Sequence, residues 1–215
     1  MSGRVDYAAI AEAIEPAGMI VRGGFVVNAH DDIPPVAVDR PTSSVVIVGN
    51  VAGPMWDRFE RARTPGHDPL DRWTRQVLEP VAERFGARFL HPSDRPYQPF
   101  QHWAQRADAV WSSPIGLLVH REYGLWHAYR GALLFDAVVD GLPAIVDAAS
   151  PCVTCVDQPC LTTCPVDAFS DSGYDHVACA GHVTSGHEPT CLTDGCAARR
   201  ACPVGIGHEY VPDQM

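Results

Sequence analysis

All eight cysteines of this 215-residue chain lie in one segment near its C-terminal end, between Cys152 and Cys202. The 151 residues before Cys152 contain none. The segment is also rich in Gly, Pro, Thr and Asp and poor in long apolar runs, so apolar burial alone does not suffice to fold it. Disulfides would need an oxidising compartment, for which the sequence gives no sign. We therefore expect the thiols to hold metal.

The cysteines fall into two groups of four, each closed by a Cys-Pro pair. The first group is Cys152, Cys155, Cys160 and Cys164, and the second is Cys179, Cys191, Cys196 and Cys202. This pattern resembles bacterial two-cluster ferredoxins, in which the fourth cysteine of each run ligates the other run's cluster. The resemblance implies two [4Fe–4S] clusters, one on Cys152, Cys155, Cys160 and Cys202, the other on Cys179, Cys191, Cys196 and Cys164.

Two features leave alternatives open. Four residues separate Cys155 from Cys160, and eleven separate Cys179 from Cys191, where the ferredoxin pattern has two. The ligand pairing is therefore less firmly predicted than the clusters, and two structural zinc sites of four cysteines each are the alternative. The histidines in this segment are expected at the surface or beside the ligands rather than as ligands; they are His176, His182, His187 and His208.

The first two thirds of the chain alternate between apolar strand patterns and helical periods. Strands are predicted at 19–27, 43–50, 115–120 and in the apolar stretch that ends at Phe135. Helices are predicted at 5–14, after Pro54, at 70–85 and at 100–110, with Pro80 kinking or dividing the third. These patterns predict an α+β chain in which a layered domain, residues 1–149, precedes a small cysteine-rich domain, residues 150–215.

A further resemblance is carried by "SVVIVGNVAGPMWDRFER" (Ser44–Arg61) and "HREYGLWHAYRG" (His120–Gly131). Both are similar to segments of the cytosolic vitamin B12-processing proteins of the cblC type. Coupling such a domain to two clusters resembles the epoxyqueuosine reductases and the reductive dehalogenases. The resemblance implies a nitroreductase-like α/β sandwich that binds base-off cobalamin, with Gly116, His120 and Arg130 at the cofactor, followed by a bacterial-ferredoxin-like domain. FMN is the less favoured cofactor, because no basic phosphate-binding cluster stands out.

Composition limits the partners. The chain has 16 Lys and Arg against 26 Asp and Glu, a formal net charge of −10, and no basic stripe, so nucleic acid is not expected as a partner. No apolar run approaches the ~18 residues that span a bilayer, and the N-terminal residues lack the features of a signal peptide. These absences predict a cytoplasmic protein without a membrane partner.

The sequence thus predicts an iron–sulfur redox protein that passes electrons through two clusters to a corrinoid or similar flat cofactor in the first domain. A cobalamin-linked reductase is the enzyme that the resemblance implies. The alternative is a ferredoxin-type module that docks a redox partner protein and has no substrate of its own. Its acidic surface would then steer a basic partner.

Overall fold

The structure, a computed structural model, describes residues 4–145, 148–170, 173–186 and 191–214. The chain divides into two compact units. The sheet unit comprises Met1–Ala109 and Ala128–Val146, and the cysteine unit comprises Val110–His127 and Asp147–Met215. The second boundary lies close to the one predicted between residues 149 and 150. Residues 110–127, which the sequence places in the first domain, instead group with the cysteines.

A four-stranded sheet organises the sheet unit, with strand order β1-β2-β6-β3. Its strands are β1 (Ile20–Val26), β2 (Ser44–Val51), β3 (Arg88–Leu90) and β6 (His127–Phe135). β1 pairs antiparallel with β2, and β3 pairs antiparallel with β6. β2 therefore lies inside the sheet, which explains its nearly continuous apolar sequence.

Helices cover both faces of this sheet. They are α1 (Tyr7–Ile14), α2 (Pro54–Ala62), α3 (Pro69–Arg84) and α4 (Phe100–Ala107). Successive residues of β2 enter different cores: Val46 and Val48 pack with residues of α1, α2 and α3, whereas Val45 and Ile47 pack with residues of α4. This alternation follows from the two-residue period of a strand. The result is a layered arrangement with a hydrophobic core on each side of the sheet.

The helix boundaries follow local signals in the sequence. Asp6 caps α1, its Oδ1 accepting the Ala8 N–H at 3.2 Å, while Pro54 and Pro69 occupy first helical positions in α2 and α3. Pro80 lies inside α3, which is nevertheless a single helix from Pro69 to Arg84. The expectation that Pro80 divides this helix is therefore wrong, because burial of Trp73 and Leu78 against the sheet maintains it.

The cysteine unit consists of short elements. β4 (Val110–Ser112) and β5 (Leu118–His120) form an antiparallel hairpin, and β7 (Phe169–Ser170) pairs antiparallel with β8 (Gly173–Tyr174). The helices are α5 (Pro159–Thr162), α6 (His176–Ser185) and α7 (Ala197–Arg200), with short 3-10 helices at Pro151–Thr154 and Pro212–Gln214. Among the described residues of this unit, one cluster of buried side chains consists of Ile115, Val119, Leu125, Cys160 and Ala198, and Trp126 and Tyr210 are also buried.

Arg199 of α7 connects the cysteine-bearing segment to residues 110–127. Its guanidinium donates two hydrogen bonds to the Leu125 carbonyl, at 2.6 and 3.1 Å, and lies 4.6 Å from the ring centroids of both Trp126 and Tyr210. These contacts explain why residues 110–127 belong to the cysteine unit.

The mixed helix and sheet content confirms the predicted α+β class. The finer assignments, a nitroreductase-like sandwich and a ferredoxin-like domain, stay predictions. In the part of the chain that the structure describes, no helix has the length and apolar character needed to cross a membrane.

Candidate metal centre

The first set of four cysteines surrounds one concavity of the cysteine unit. Cys152 lies in the 3-10 turn Pro151–Thr154, where the Ser150 hydroxyl accepts its N–H at 3.3 Å, and Cys155 follows that turn. Cys160 lies on α5 and is buried, while Cys202 follows α7. All four line the same pocket, together with Pro114, Leu125 and Val204 among others.

The four thiols of this set influence one another electrostatically. Burial raises the pKa of Cys160, and the nearby thiols of Cys202, Cys152 and Cys155 raise it further. The pKa of Cys202 is also raised, first by burial and then by Cys152 and Cys155. Four converging thiolates repel each other, so as a group they are stable only beside positive charge, which a metal centre supplies.

The remaining four cysteines form a second set. Cys196 is the N-cap residue of α7; burial raises its pKa, and the thiols of Cys191 and Cys179 add to the effect. The phenol of Tyr174 lies near Cys179, Cys196 and Cys164, each of which raises its pKa. The assignment of the eight thiols to two ligand sets, as the ferredoxin resemblance implies, stays a prediction.

Backbone N–H groups point at sulfur atoms in both sets. The Ala168 N–H donates to Cys164 Sγ at 3.3 Å. N–H groups of Ala198 and Arg199 lower the pKa of Cys196, and the N–H of Val204 lowers that of Cys202. Such donors stabilise negative charge on sulfur, as they do around iron–sulfur clusters.

A glycine allows the loop after Cys202 to approach residues 110–127 closely. Gly124 has φ of +56°, and a Cβ placed there would lie 1.9 Å from the Val204 carbonyl oxygen. No other residue type fits this position without moving the backbone. Gly124 thereby contributes to the position of Cys202 and Pro203, which line the pocket.

All eight cysteines are free thiols. Among the described residues, no three His, Cys, Asp or Glu side chains lie close enough together to hold a single metal ion. The donor set consists of two groups of four thiols, and thiolates are the ligands of iron–sulfur clusters and of structural zinc.

The histidines of this segment occupy varied positions. His176 is exposed at the start of α6, and His182 is half-buried in the same helix. His208 packs its ring edge-on against Tyr123, with ring centroids 5.1 Å apart. His187 lies outside the described residues.

The three residues predicted at a corrinoid are divided between the units. Gly116 is exposed, with φ of +78°, in the turn that joins β4 to β5. His120 ends β5, and its Nδ1 accepts the N–H groups of Glu122 and Tyr123 at 3.0 and 3.1 Å. Both belong to the cysteine unit, whereas Arg130 lies on β6 in the sheet unit. His120 therefore stabilises the tight turn that follows β5.

Arg130 forms part of a polar group in the sheet unit. Its Nε donates to Asn50 Oδ1 at 2.8 Å. Asn50 is fully buried at the end of β2, and its Nδ2 has no hydrogen-bond partner among the described residues. A buried donor without a partner is costly, so an acceptor on a bound molecule would stabilise this position.

Sequence reasoning misses a charged cluster beside Arg130. The His91 side chain is buried, with 4% of the residue exposed. Its backbone N–H donates to Asp94 Oδ2 at 2.7 Å, and its ring Nε2 lies 3.7 Å from Asp71 Oδ1. Arg75 donates to the other oxygen of Asp94 at 2.6 Å. Burial lowers the pKa of His91, and the charges of Arg75 and Arg130 act in the same direction, against Asp71 and Asp94. The only sequence signal for this cluster is the polar "HPSD" stretch after β3.

A second cluster that sequence reasoning misses is centred on Arg22. The register of β1 against β2 shifts between Val21 and Gly24, and this irregularity turns Arg22 inward to pair with Asp108 at 2.5 Å. The Tyr129 hydroxyl donates to the same carboxylate at 3.3 Å. Gly23 permits the approach, because a Cβ there would lie 1.8 Å from the Ala107 carbonyl oxygen. The "VRGGF" sequence carries the usual signal of such a bulge.

No protein-family model and no curated protein matches this chain. Solved structures of epoxyqueuosine reductases share its fold. A selenomethionine-labelled one is 13% identical with a TM-score of 0.54, the match covering 96% of this chain and 68% of that one. One bound to a tRNA-Tyr epoxyqueuosine-modified stem loop is 14% identical, with a TM-score of 0.50 and coverage of 95% and 67%. One from Bacillus subtilis, with its catalytic aspartate loop swung out of the active site, is 14% identical, with a TM-score of 0.54 and the same coverage.

Proposed function

We propose that this protein is an iron–sulfur reductase component that carries electrons through two [4Fe–4S] clusters. Cys152, Cys155, Cys160 and Cys202 would hold one cluster, and Cys179, Cys191, Cys196 and Cys164 the other. The observation that carries the proposal is that Cys152, Cys155, Cys160 and Cys202 line one pocket, although they come from opposite ends of the cysteine segment. The fold shared with epoxyqueuosine reductases supports it, because those proteins are named as reductases.

When bound, the clusters supply one-electron carriers whose potentials depend on hydrogen bonding and exposure. The residues of the chain hold the sulfur atoms in place and stabilise their charge. Short turns fix Cys152, Cys155 and Cys160, and the N–H groups at the start of α7 face Cys196. Val119 and Leu125 pack around the first set and limit the access of water.

Metal analysis separates this proposal from the zinc alternative. Protein purified without air is expected to contain about eight irons and eight sulfides per chain, with the EPR signals of reduced [4Fe–4S] clusters. A colourless preparation whose tightly bound metal is zinc alone would overturn the proposal. Iron in a stoichiometry near four would leave one set of thiols without a cluster and would contradict the two-cluster assignment.

For the electron acceptor we propose a corrinoid on the sheet unit, beside Arg130. The support is the Arg130–Asn50 pair with its buried Nδ2 donor, since cobalamin carries amide groups on its periphery that accept hydrogen bonds. Gly116 and His120 stay predictions from the resemblance. FMN is the competing flat cofactor.

Visible spectroscopy tests this assignment directly. Added cobalamin is expected to change its absorption spectrum at micromolar protein, and Arg130→Ala should weaken binding about tenfold through loss of a hydrogen-bonded guanidinium. The exposed Arg61 provides the control, since Arg61→Ala should bind as the unaltered protein does. An unchanged cobalamin spectrum together with a shifted FMN spectrum would replace the corrinoid by a flavin. If neither cofactor binds, the ferredoxin-type module is the better account.

A second candidate function is reduction of a modified nucleoside in RNA. It is favoured by the likeness to a reductase solved with a tRNA stem loop. The net charge of −10 opposes it, because phosphate binding usually needs a basic surface. Fluorescence anisotropy with a labelled tRNA stem loop decides the matter: binding that weakens steeply with salt supports RNA, and no binding at low salt removes this candidate.

A further inference from the structure

Tyr174 ends the β7–β8 hairpin and directly precedes the N-cap of α6. Asp175 is that N-cap, with its Oδ1 accepting the N–H groups of Val177 and Ala178 at 3.1 and 2.9 Å. The Asp175 N–H in turn donates to the Ala168 carbonyl at 2.8 Å, which ties the start of the helix to the hairpin. The position of Tyr174 relative to α6 is thus fixed on both sides.

Cys179 lies at the fourth position of α6. The residue before an N-cap and the residue at the fourth helical position are neighbours in space, which is the geometry of the hydrophobic staple. Here the pair is Tyr174 and Cys179, so the start of α6 places the phenol beside the Cys179 thiol. The Tyr174 ring stacks on Phe169 with centroids 5.1 Å apart and planes 15° apart, which holds the hydroxyl in this direction.

The same hairpin supplies a donor to a second thiol of the same set. The Ala168 N–H, just before β7, donates to Cys164 Sγ at 3.3 Å. One short structure therefore places a phenol beside Cys179 and directs a backbone N–H to Cys164. Cys164 and Cys179 belong to the set that also contains Cys191 and Cys196.

We propose that the Tyr174 hydroxyl donates a hydrogen bond to Cys179 Sγ and thereby raises the reduction potential of the cluster that Cys179 would hold; this inference rests on the proposed function. A hydrogen bond to a ligating sulfur offsets negative charge on it, and the form with one more electron carries more of that charge. The bond therefore favours the reduced form of this cluster. The other cluster, on Cys152, Cys155, Cys160 and Cys202, has no phenol of this kind among the contacts described and keeps its own potential.

The decisive variant is Tyr174→Phe, which keeps the ring, its stack on Phe169 and the staple contact while removing the hydroxyl. An EPR-monitored redox titration of the whole protein is expected to show one cluster shifted to lower potential and the other unchanged. Loss of a hydrogen bond to a charged group predicts about a tenfold change in the reduction equilibrium, or roughly 59 mV for one electron. Tyr97→Phe, which removes an exposed phenol of the sheet unit, is the matched control and should shift neither potential.

A second measurement leaves the sequence unaltered, in case Tyr174→Phe fails to assemble its cluster. Protein labelled throughout with 3-fluorotyrosine carries more acidic, stronger phenol donors, so the same single cluster should shift to higher potential. Equal shifts of both clusters, or no shift in either experiment with both clusters present, would overturn the inference. A protein without clusters would instead overturn the proposed function, so the two failures are distinguishable.

Discussion

The sheet unit and the cysteine unit are organised by different forces. The sheet unit buries large apolar side chains on both faces of its sheet, including Ile10, Phe59, Leu78 and Leu133, each no more than 1% exposed. In the described part of the cysteine unit, the cluster of buried side chains around Ile115, Val119 and Leu125 includes Cys160, and several of its partly buried neighbours are also cysteines. Apolar burial can stabilise the first unit, whereas the buried cluster of the second lies among its thiols, so we expect its stability to depend on what the thiols bind.

The difference shows where a metal would act in this chain. Exposed aliphatic side chains are common in the cysteine unit, such as Val153 and Val156 beside the first thiols and Leu192 beside Cys191. A segment of this composition folds around what it ligates, so metal binding and folding are linked. The comparison therefore predicts that each unit loses its structure for a different reason.

Removal of the metal is expected to have the largest effect. Chelation under oxidising conditions should unfold the cysteine unit and leave the sheet unit folded. Hydrogen exchange followed by mass spectrometry checks this: amides of α5 and α7 should lose protection, while amides of β2 keep theirs. Unchanged protection of α7 after complete loss of iron would show that the cysteine unit folds without metal, and the contrast between the units would fail.

Replacing the last cysteine of each run tests the pairing inside the cysteine unit. Cys202→Ala should remove the cluster on Cys152, Cys155 and Cys160, and Cys164→Ala should remove the one on Cys179, Cys191 and Cys196. In each variant the iron content should fall by about half, and the surviving EPR signal should differ between the two. If each variant instead loses the cluster of its own run, the crossover is wrong. Serine at the same positions provides a comparison, since oxygen is a poorer ligand for iron than thiolate.

How far the sequence predicts the structure also differs between the two units. In the sheet unit, β1, β2 and α3 lie within one residue of their predicted bounds, because each has a strong apolar pattern. The inward turn of Arg22 is not predicted, since a bulge depends on the register between strands rather than on periodicity. The His91 cluster is also missed, because α3 and the loop after β3 approach each other only in the folded chain.

In the cysteine unit, the spacing of the cysteines predicts a metal centre, whereas the short helices and strands leave no clear pattern in the sequence. The two runs of four cysteines are visible in the sequence, whereas the contacts that bring residues 110–127 to this unit, such as Arg199 with the Leu125 carbonyl, are not. That contact spans 74 positions and leaves no local pattern. The roles of Gly116, His120 and Arg130 stay predictions, because the resemblance behind them is distributed over both units.

Truncation of a core side chain tests how much apolar burial stabilises the sheet unit. Phe59 is 1% exposed and packs against Trp56 and Trp73, with ring centroids 5.1 and 5.8 Å away. Phe59→Ala should lower the free energy of unfolding of this unit by about 3–5 kcal/mol, because it leaves a cavity. Urea unfolding followed by tryptophan fluorescence measures the change. Val38→Ala, at a residue 94% exposed, is the control and should change stability by less than ~0.5 kcal/mol.

The buried polar cluster of the sheet unit predicts a smaller effect. The Tyr129 hydroxyl donates to Asp108, and burial raises the pKa of this tyrosine well above its ordinary value, so it remains a phenol. Tyr129→Phe removes one hydrogen bond and keeps the ring beside Arg22, so the expected loss is about 0.5–1.5 kcal/mol. The iron content should not change. A loss of clusters in this variant would show that cluster binding by the cysteine unit depends on the stability of the sheet unit.

The weakest effect concerns pH and again distinguishes the units. Burial lowers the pKa of His91, with Arg75 and Arg130 acting in the same direction and Asp71 and Asp94 against it. Below the ordinary histidine pKa of about 6.5, the unfolded chain binds a proton that folded His91 resists. The stability of the sheet unit should therefore be fully present above that pH and decline as the pH falls below it, by at most ~1.4 kcal/mol per pH unit. His91→Gln, which cannot titrate, should flatten the decline in urea unfolding between pH 7 and pH 5; an equally steep decline in the variant would assign it to other groups.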